Sequence, residues 1–396
     1  MAVMLSRPAL RWLVPVSLAA VAVGGGAATR SISASADPSL PQRSAAQLLV
    51  DVQQARLDAI SGTVVAGADL GLPKLPAIGG RGSADLTALL SGSHTLRVWY
   101  AGPDKARIAL LGTLGESDII AKGRDVWIWS SDQKTAVHRT LPAEKGPARP
   151  LPRGLPKTPQ EAADQALAAL GPSTAVSTDG TAVVAGRPAY ELVLTPRDTA
   201  SLVSSVRIAI DGTKHVPLRV QVYARGHADP AAEIGFTDVS FARPDAARFN
   251  FTPPPGTKVT EAGNAGTATP APSTRLTPPV PGHTARPESR GPAPVVLGTG
   301  WTAVVVARQP TGATQLPDPG TSPRTDAPGS LDALPARILA ALPHVSGSWG
   351  SGRLLSSRLF SVLVTDDGRV LAGAVSPDRL YAAAADPKAQ ALRTTG

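Results

Sequence analysis

From residue 94 onward the chain alternates apolar with polar positions in short runs separated by turn residues. "TLRVWYA" (95–101), "ARIALLG" (106–112), "SDIIAKG" (117–123), "DVWIWSS" (125–131) and "TAVHRTL" (135–141) follow one another closely. Gly102-Pro103-Asp104, Lys122-Gly123 and Asp132-Gln133-Lys134 supply the turns. A period of two with tight connections predicts an antiparallel meander. The pattern resumes with "TAVVAG" (181–186), "AYELVLTP" (189–196), "SSVRIAID" (204–211), "PLRVQVYAR" (217–225), "AEIGFTDVSFA" (232–242) and "RFNF" (248–251). Tyr190, Leu192 and Leu194 oppose Glu191 and Thr195, and Leu218, Val220 and Val222 oppose Arg219 and Gln221, so these strands have one apolar face. The run around Trp127 and Trp129 differs: Val126 and Ile128 make its other face apolar as well. A strand with two apolar faces needs a cover on each.

Helical spacing is rarer. "SAAQLLVDVQQARL" (44–57) repeats apolar residues at three and four with Ser44 as N-cap, and "SGTVVAG" (61–67) is the first strand. "TPQEAADQALAAL" (158–170) carries Thr158, Pro159 and Glu161 in capping-box order. Between these segments lie a Gly/Pro-rich excursion (68–93) and a Pro-rich loop (142–157). Residues 260–295 form a Pro/Thr/Ala-rich linker, disordered by composition. A smaller α+β unit follows at 296–386. It is expected to hold a strand (300–308), a helix (330–342), a hairpin turning at Asp366-Asp367-Gly368 (358–374) and a last helix capped by Ser376-Pro377. The absence of strand–helix–strand alternation excludes a parallel α/β fold.

Composition narrows the function classes. The chain has 396 residues, 42% of them hydrophobic, and no cysteine, which excludes disulfides, thiolate metal sites and a cysteine nucleophile. Its formal charge is +9, and Arg7, Arg11 and Arg30 supply three of these charges in an acid-free N-terminal segment. The remaining excess is spread out and its aromatics sit in apolar alternation, so no nucleic-acid partner is expected. Arg7 and Arg11 precede the uncharged "WLVPVSLAAVAVGGGAA" (12–28) and an Ala34-Ser35-Ala36 site. That layout predicts a secretory signal peptide or anchor over 1–36, with export into the cell envelope or beyond and a mature chain beginning at Asp37. No G-x-S-x-G, H-E-x-x-H or Walker lysine motif occurs, the six histidines have no metal-ligand spacing, and "GTGWTA" (298–303) leads into a strand instead of a helix. Neither an enzyme nor a cofactor is expected.

Residues 186–259, "GRPAYELVLTP … VRIAIDGTKHVPLRVQVYARG … EIGFTDVSFARPDAARFNFTPPPGTKV", resemble the closing strands of the LolA-like family. Asp211, Pro217-Leu218 and the F-x-F-x-P-P-x-G run from Phe249 to Gly256 carry most of the likeness, and "ESDIIAKGRDVWIWSSDQKTAVHRT" resembles an earlier hairpin of that family. The family includes outer-membrane lipoprotein carriers, lipid-binding mycobacterial lipoproteins and sigma-factor regulators of the MucB/RseB type. The resemblance covers residues 40–259 and implies a mainly β fold, a curved, unclosed antiparallel half-barrel plugged by helices, whose apolar cavity holds acyl chains. Trp99, Trp127, Trp129, Tyr190, Leu192, Leu194, Val220 and Phe236 are the candidate cavity residues, with the face that forms the cavity left open. The implied partners are a lipid or an acylated lipoprotein, with peripheral membrane contact. The alternatives are a membrane anti-sigma factor, or a ligand-free envelope scaffold. The 296–386 unit and the absence of a lipobox cysteine set this chain apart from simple carriers and lipid-anchored members.

Overall fold

A computed structural model describes residues 40–72, 93–112, 115–141, 171–261, 294–308 and 341–392. The signal segment, the helix expected at 158–170 and nearly all of the helix expected at 330–342 lie outside the described residues. Helix α1 (Ala45–Gln54) opens the first unit. Its N-terminus is closed by a capping box, in which Gln47 N donates to Ser44 Oγ at 3.2 Å and Ser44 N donates to Gln47 Oε1 at 2.9 Å.

Twelve strands follow: β1 (Ile60–Ala68), β2 (Ser93–Tyr100), β3 (Lys105–Leu111), β4 (Glu116–Lys122), β5 (Asp125–Ser130), β6 (Thr135–Thr140), β7 (Thr174–Val184), β8 (Arg187–Pro196), β9 (Val203–Asp211), β10 (Pro217–Ala224), β11 (Pro230–Ser240) and β12 (Lys258–Glu261). They form one sheet in the order β12-β6-β5-β4-β3-β2-β1-β11-β10-β9-β8-β7. Every pair is antiparallel except β12 on β6. The edges β12 and β7 do not pair, so the barrel stays open. Bulges at Thr63/Val64, Thr178/Thr181 and Val222/Tyr223 bend the strands. At the first of these the chains approach so closely that a Cβ on Gly62 would stand 2.2 Å from Asp238 O.

Residues 248–251 are not the strand that alternation predicted. Ala246–Phe249 is a 3-10 helix whose N-cap, Asp245, accepts from Ala247 N at 2.8 Å. Two aromatic residues spaced by one fit an extended chain equally well on paper; the Asp245 cap decides in favour of a turn.

The second unit is a six-stranded sheet with β13 (Val295–Leu297), β14 (Val304–Arg308), β15 (His344–Gly347), β16 (Gly350–Ser356), β17 (Ser361–Thr365) and β18 (Arg369–Gly373), in the order β13-β14-β18-β17-β16-β15. The expected strand at 300–308 begins only at Val304, because Gly300–Thr302 is a 3-10 turn. Helices α2 (Pro377–Ala385) and α3 (Pro387–Gln390) bring Leu380, Ala384 and Ala389 onto Val306, Leu363 and Leu371.

Ala68, Leu70, Val203, Ala224, Ala231 and Ala232 of the first unit share a buried cluster with Leu359 of the second, and Trp301, Phe360 and Ala374 pack on it. Arg358 Nη1 meets Asp69 Oδ2 at 2.6 Å, Trp301 Nε1 donates to Thr174 Oγ1 at 2.8 Å and Leu202 N donates to Ala374 O at 2.8 Å. The two sheets therefore meet through a small apolar seam with a polar margin.

The hairpin turn at 366–368 does more than reverse the chain. The Arg369 guanidinium is fully buried, paired with Asp367 at 2.7 and 2.8 Å, and donates to Ala384 O at 2.8 Å and Trp349 O at 3.4 Å. It ties the hairpin to α2 and to the loop before β16. Arg369→Leu removes the ion-pair partner of Asp367, which keeps its bond from Thr365 Oγ1, and deprives Ala384 O and Trp349 O of their buried donor; the expected cost is about 1–3 kcal/mol. A urea midpoint unchanged from wild type would contradict this role.

Candidate functional site

Residues directly opposite one another in a ladder share a face, so the register assigns each candidate residue to one side of the sheet. On the first face Leu192 pairs with Ile208, Ile208 with Val220, Val220 with Ile234 and Ile234 with Ala66. Tyr190, two residues from Leu192, pairs with Ile210; Leu194 pairs with Val206 and Phe236 with Val64. Tyr190, Leu192, Leu194, Val220 and Phe236 therefore lie together on one face. At the β8–β9 end it is plugged by α1, whose buried Leu48 packs with Tyr190, Leu192 and Ile210.

At the other end of this face a row of β-branched residues crosses five strands: Val98–Ile108–Ile119–Ile128–Val137. Beside it Leu96 and Leu110 are 2% and 1% exposed and close a cluster with Val64 and Ala66, on which Val98 and Ile108 pack. Every described member of that cluster belongs to a strand. Ile128 is 43% exposed, and the rest of the row is half-buried.

Trp99, Trp127 and Trp129 are on the opposite face, so the eight candidate residues do not line one cavity. Trp99 pairs with Arg107, Arg107 with Ile120, Ile120 with Trp127, Trp127 with His138 and His138 with Glu261. Between β11 and β12, residues 241–257 cross this face as a strap. Phe251 packs against Trp127 and Trp129 with ring centroids 5.3 and 6.0 Å apart, and the Arg107 and Arg248 guanidinium groups lie 5.4 and 5.8 Å from the Trp99 ring. Arg107 also donates to Arg248 O at 3.4 Å, and Lys122 Nζ to Asn250 Oδ1 at 2.7 Å. The tryptophans are the floor under the strap, which is why β5 is apolar on both faces.

Two polar groups sit within this aromatic layer. His138 stacks on Trp127 at 4.2 Å, with Glu261 at 2.9 Å from Nδ1 and Asp125 at 3.3 Å from Nε2. Asp118 is fully buried and ion-paired to Arg107 Nη2, while its Oδ1, Arg107 Nε and Trp129 Nε1 have no hydrogen-bond partner among the described residues. Burial lifts the Asp118 carboxyl to about 6, Arg107 opposes the shift and Glu116 adds to it. Strand alternation placed Arg107 and Asp118 in a meander without linking them; only the β3–β4 register shows that they meet. His138, Phe249, Asn250, Phe251 and Glu261 were not among the candidate site residues, although the Phe249–Gly256 run was singled out for its likeness: the strap and β12 return to the sheet more than 100 residues after β5 and β6. Among the described residues no group of three or more His, Asp or Glu could hold a metal ion.

No family model matches the chain, and no curated protein matches it. Among solved structures it is similar to the MucA/MucB complex of Pseudomonas aeruginosa, at 16% identity and a TM-score of 0.40 over 86% of this chain and 96% of that one. A protein from Thermus thermophilus is similar at 12% identity and a TM-score of 0.31 over 55% of this chain and 98% of that one. A LolA superfamily protein from Nitrosomonas europaea is similar at 12% identity and a TM-score of 0.19 over 53% and 99%.

Asp118 generates a pH prediction. Its folded value, about 6, lies above the ordinary 3.8. The folded state therefore binds the proton more tightly than the unfolded chain. Its contribution to stability is fully present below about 3.8 and is lost as pH rises through about 6. The difference in urea midpoint between wild type and Asp118→Asn should shift in favour of wild type as pH falls from 7 to 5. A difference that is flat over this range rules out the raised carboxyl.

The observed strand order and register make the first unit an open antiparallel half-barrel with a helix on one face, the architecture expected from its resemblance to the LolA-like family.

Proposed function

We propose that this chain is an exported binding module that holds an acyl chain, free or attached to a lipoprotein, against the helix-bearing face of its open sheet. The observation that carries the reading is the row Val98–Ile108–Ile119–Ile128–Val137. Four inter-strand steps of about 4.8 Å give it a length of about 19 Å, which suits a long acyl chain lying across the strands. The row contains no polar side chain, so it favours apolar length over any particular head group. Each methylene buried there contributes about 0.8 kcal/mol. The signal-like N-terminus supports an extracytoplasmic location.

A second reading, an envelope regulator that grips a membrane anti-sigma factor, is favoured by the docked second unit. The second sheet shares a core cluster with the first, and the resemblance assigns no such unit to simple carriers.

Displacement of a fluorescent fatty acid by palmitate tests the first reading. Ile128→Asp places a charge within the row, one strand from its β6 end, at a position already 43% exposed. It should weaken palmitate at least tenfold while leaving the urea midpoint nearly unchanged. Palmitate binding that is absent from wild type, or equal in the variant, would refute the acyl site.

A further inference from the structure

On the face opposite the aliphatic row, the sheet and the strap enclose a pocket. It has a volume of about 330 Å³ and is lined by Ile120, Lys122, Asp125, Trp127, His138 and residues 249–251. This volume falls at the lower end of small-molecule sites, about 300–1,000 Å³. Two elements distant in sequence build it. The sheet supplies Ile120 and Trp127, and the strap supplies Phe249 and Phe251; Ile120 and Phe249 are each 1% exposed. Its walls therefore ask for an apolar body, and the aromatic side chains favour a flat one.

The rim decides what that body should carry. Asp125, opposite Lys122 in the β4–β5 ladder, accepts from Thr140 Oγ1 at 3.1 Å and lies 3.3 Å from His138 Nε2, both through Oδ1. The other ring nitrogen of His138 is held by Glu261. Lys122 differs: its ammonium touches Asn250 Oδ1, and among the described residues no carboxylate lies within ion-pair distance of it. That bond also orients Asn250, leaving its NH₂ as the group with hydrogen-bonding capacity to spare. The rim therefore offers the Lys122 ammonium and the Asn250 NH₂ as neighbouring donors beside an aromatic pocket, with the second oxygen of Asp125 as an acceptor.

We infer that the pocket under the strap binds a flat apolar acid, an aromatic or similarly planar body bearing a carboxylate, with the body against the Ile120, Trp127 and Phe249 wall and the anion at Lys122 and Asn250. This site is separate from the acyl row, since Trp127 and Ile128 are neighbours pointing to opposite faces.

Calorimetric titration of the full chain with 2-naphthoate, 2-naphthylmethanol and 2-naphthylmethylamine tests the inference. All three share one ring system and differ in charge. The acid should bind saturably and at least tenfold more tightly than the alcohol or the amine. Lys122→Gln, which keeps a donor for Asn250 and removes the charge, should erase that preference. Ile128→Asp should leave naphthoate binding unchanged. No saturable binding of the acid at millimolar concentration overturns the inference. So do equal binding of all three probes, a preference for the amine, a preference that survives Lys122→Gln, or loss of naphthoate binding in Ile128→Asp. Palmitate displacement fails or succeeds independently of Lys122, so failure of the acyl reading and failure of this one are distinguishable.

Discussion

Cross-strand register is the constraint on which this molecule depends. Side chains alternate with a period of two, so each strand of the twelve-stranded sheet must choose which residues face α1 and which face the strap. A slip of one residue between β4 and β5 would exchange Ile128 for Trp127 and place an indole in the aliphatic row. Ile119 on Ile128 and Ile120 on Trp127 fix that choice. The same register carries across β1–β11, where strands far apart in sequence join, and aligns Val64 with Phe236 and Ala66 with Ile234. One face becomes aliphatic along much of the sheet. The other becomes aromatic at the β3–β6 end and charged at the β8–β10 end, where Glu191 meets Arg207 and Arg219.

The two faces are covered differently, and this is where function enters. Among the described residues helix α1 plugs the aliphatic face over β7 to β9, where Leu48, Leu49 and Val52 pack in one cluster with Val176, Leu192 and Ile210. The strap crosses the aromatic face and is pinned at Arg107, Lys122 and Lys134, the last through Lys258 N to Lys134 O at 2.8 Å. A floor of tryptophan under a pinned segment leaves a bounded pocket with a polar rim. An aliphatic row with little polar company leaves an extended apolar track. The opposite chemistry of the two sides follows from one sheet, because each strand of the meander contributes to both.

Most of the first unit was legible in the sequence. Alternation places β2 to β6 and β8 to β11 within about two residues, since each strand carries its own period and its own turn. Short strands escaped: β12, β13 and β15 have three or four residues, too few to display a period. The division of the candidate residues between two faces was not legible. Within one strand the period shows that Trp127 and Trp129 share a side, but relating them to Tyr190 or Val220 needs the β1–β11 pairing, which no local pattern reports. Asp367 was read as a turn residue, which it is; its partnership with Arg369 shows only once the buried guanidinium is seen reaching to Ala384 and Trp349.

The central claim is that apolar chains are held on the Ile128 side of the sheet and not on the Trp127 side. Methyl-labelled isoleucine and indole N–H resonances of one sample, followed during titration with palmitate, report both sides at once. The account predicts progressive shifts of the Ile108, Ile119 and Ile128 methyl signals, with the Trp127 and Trp129 indole signals staying in place. Indole shifts with stationary isoleucine methyls would put the acyl chain under the strap and contradict the account.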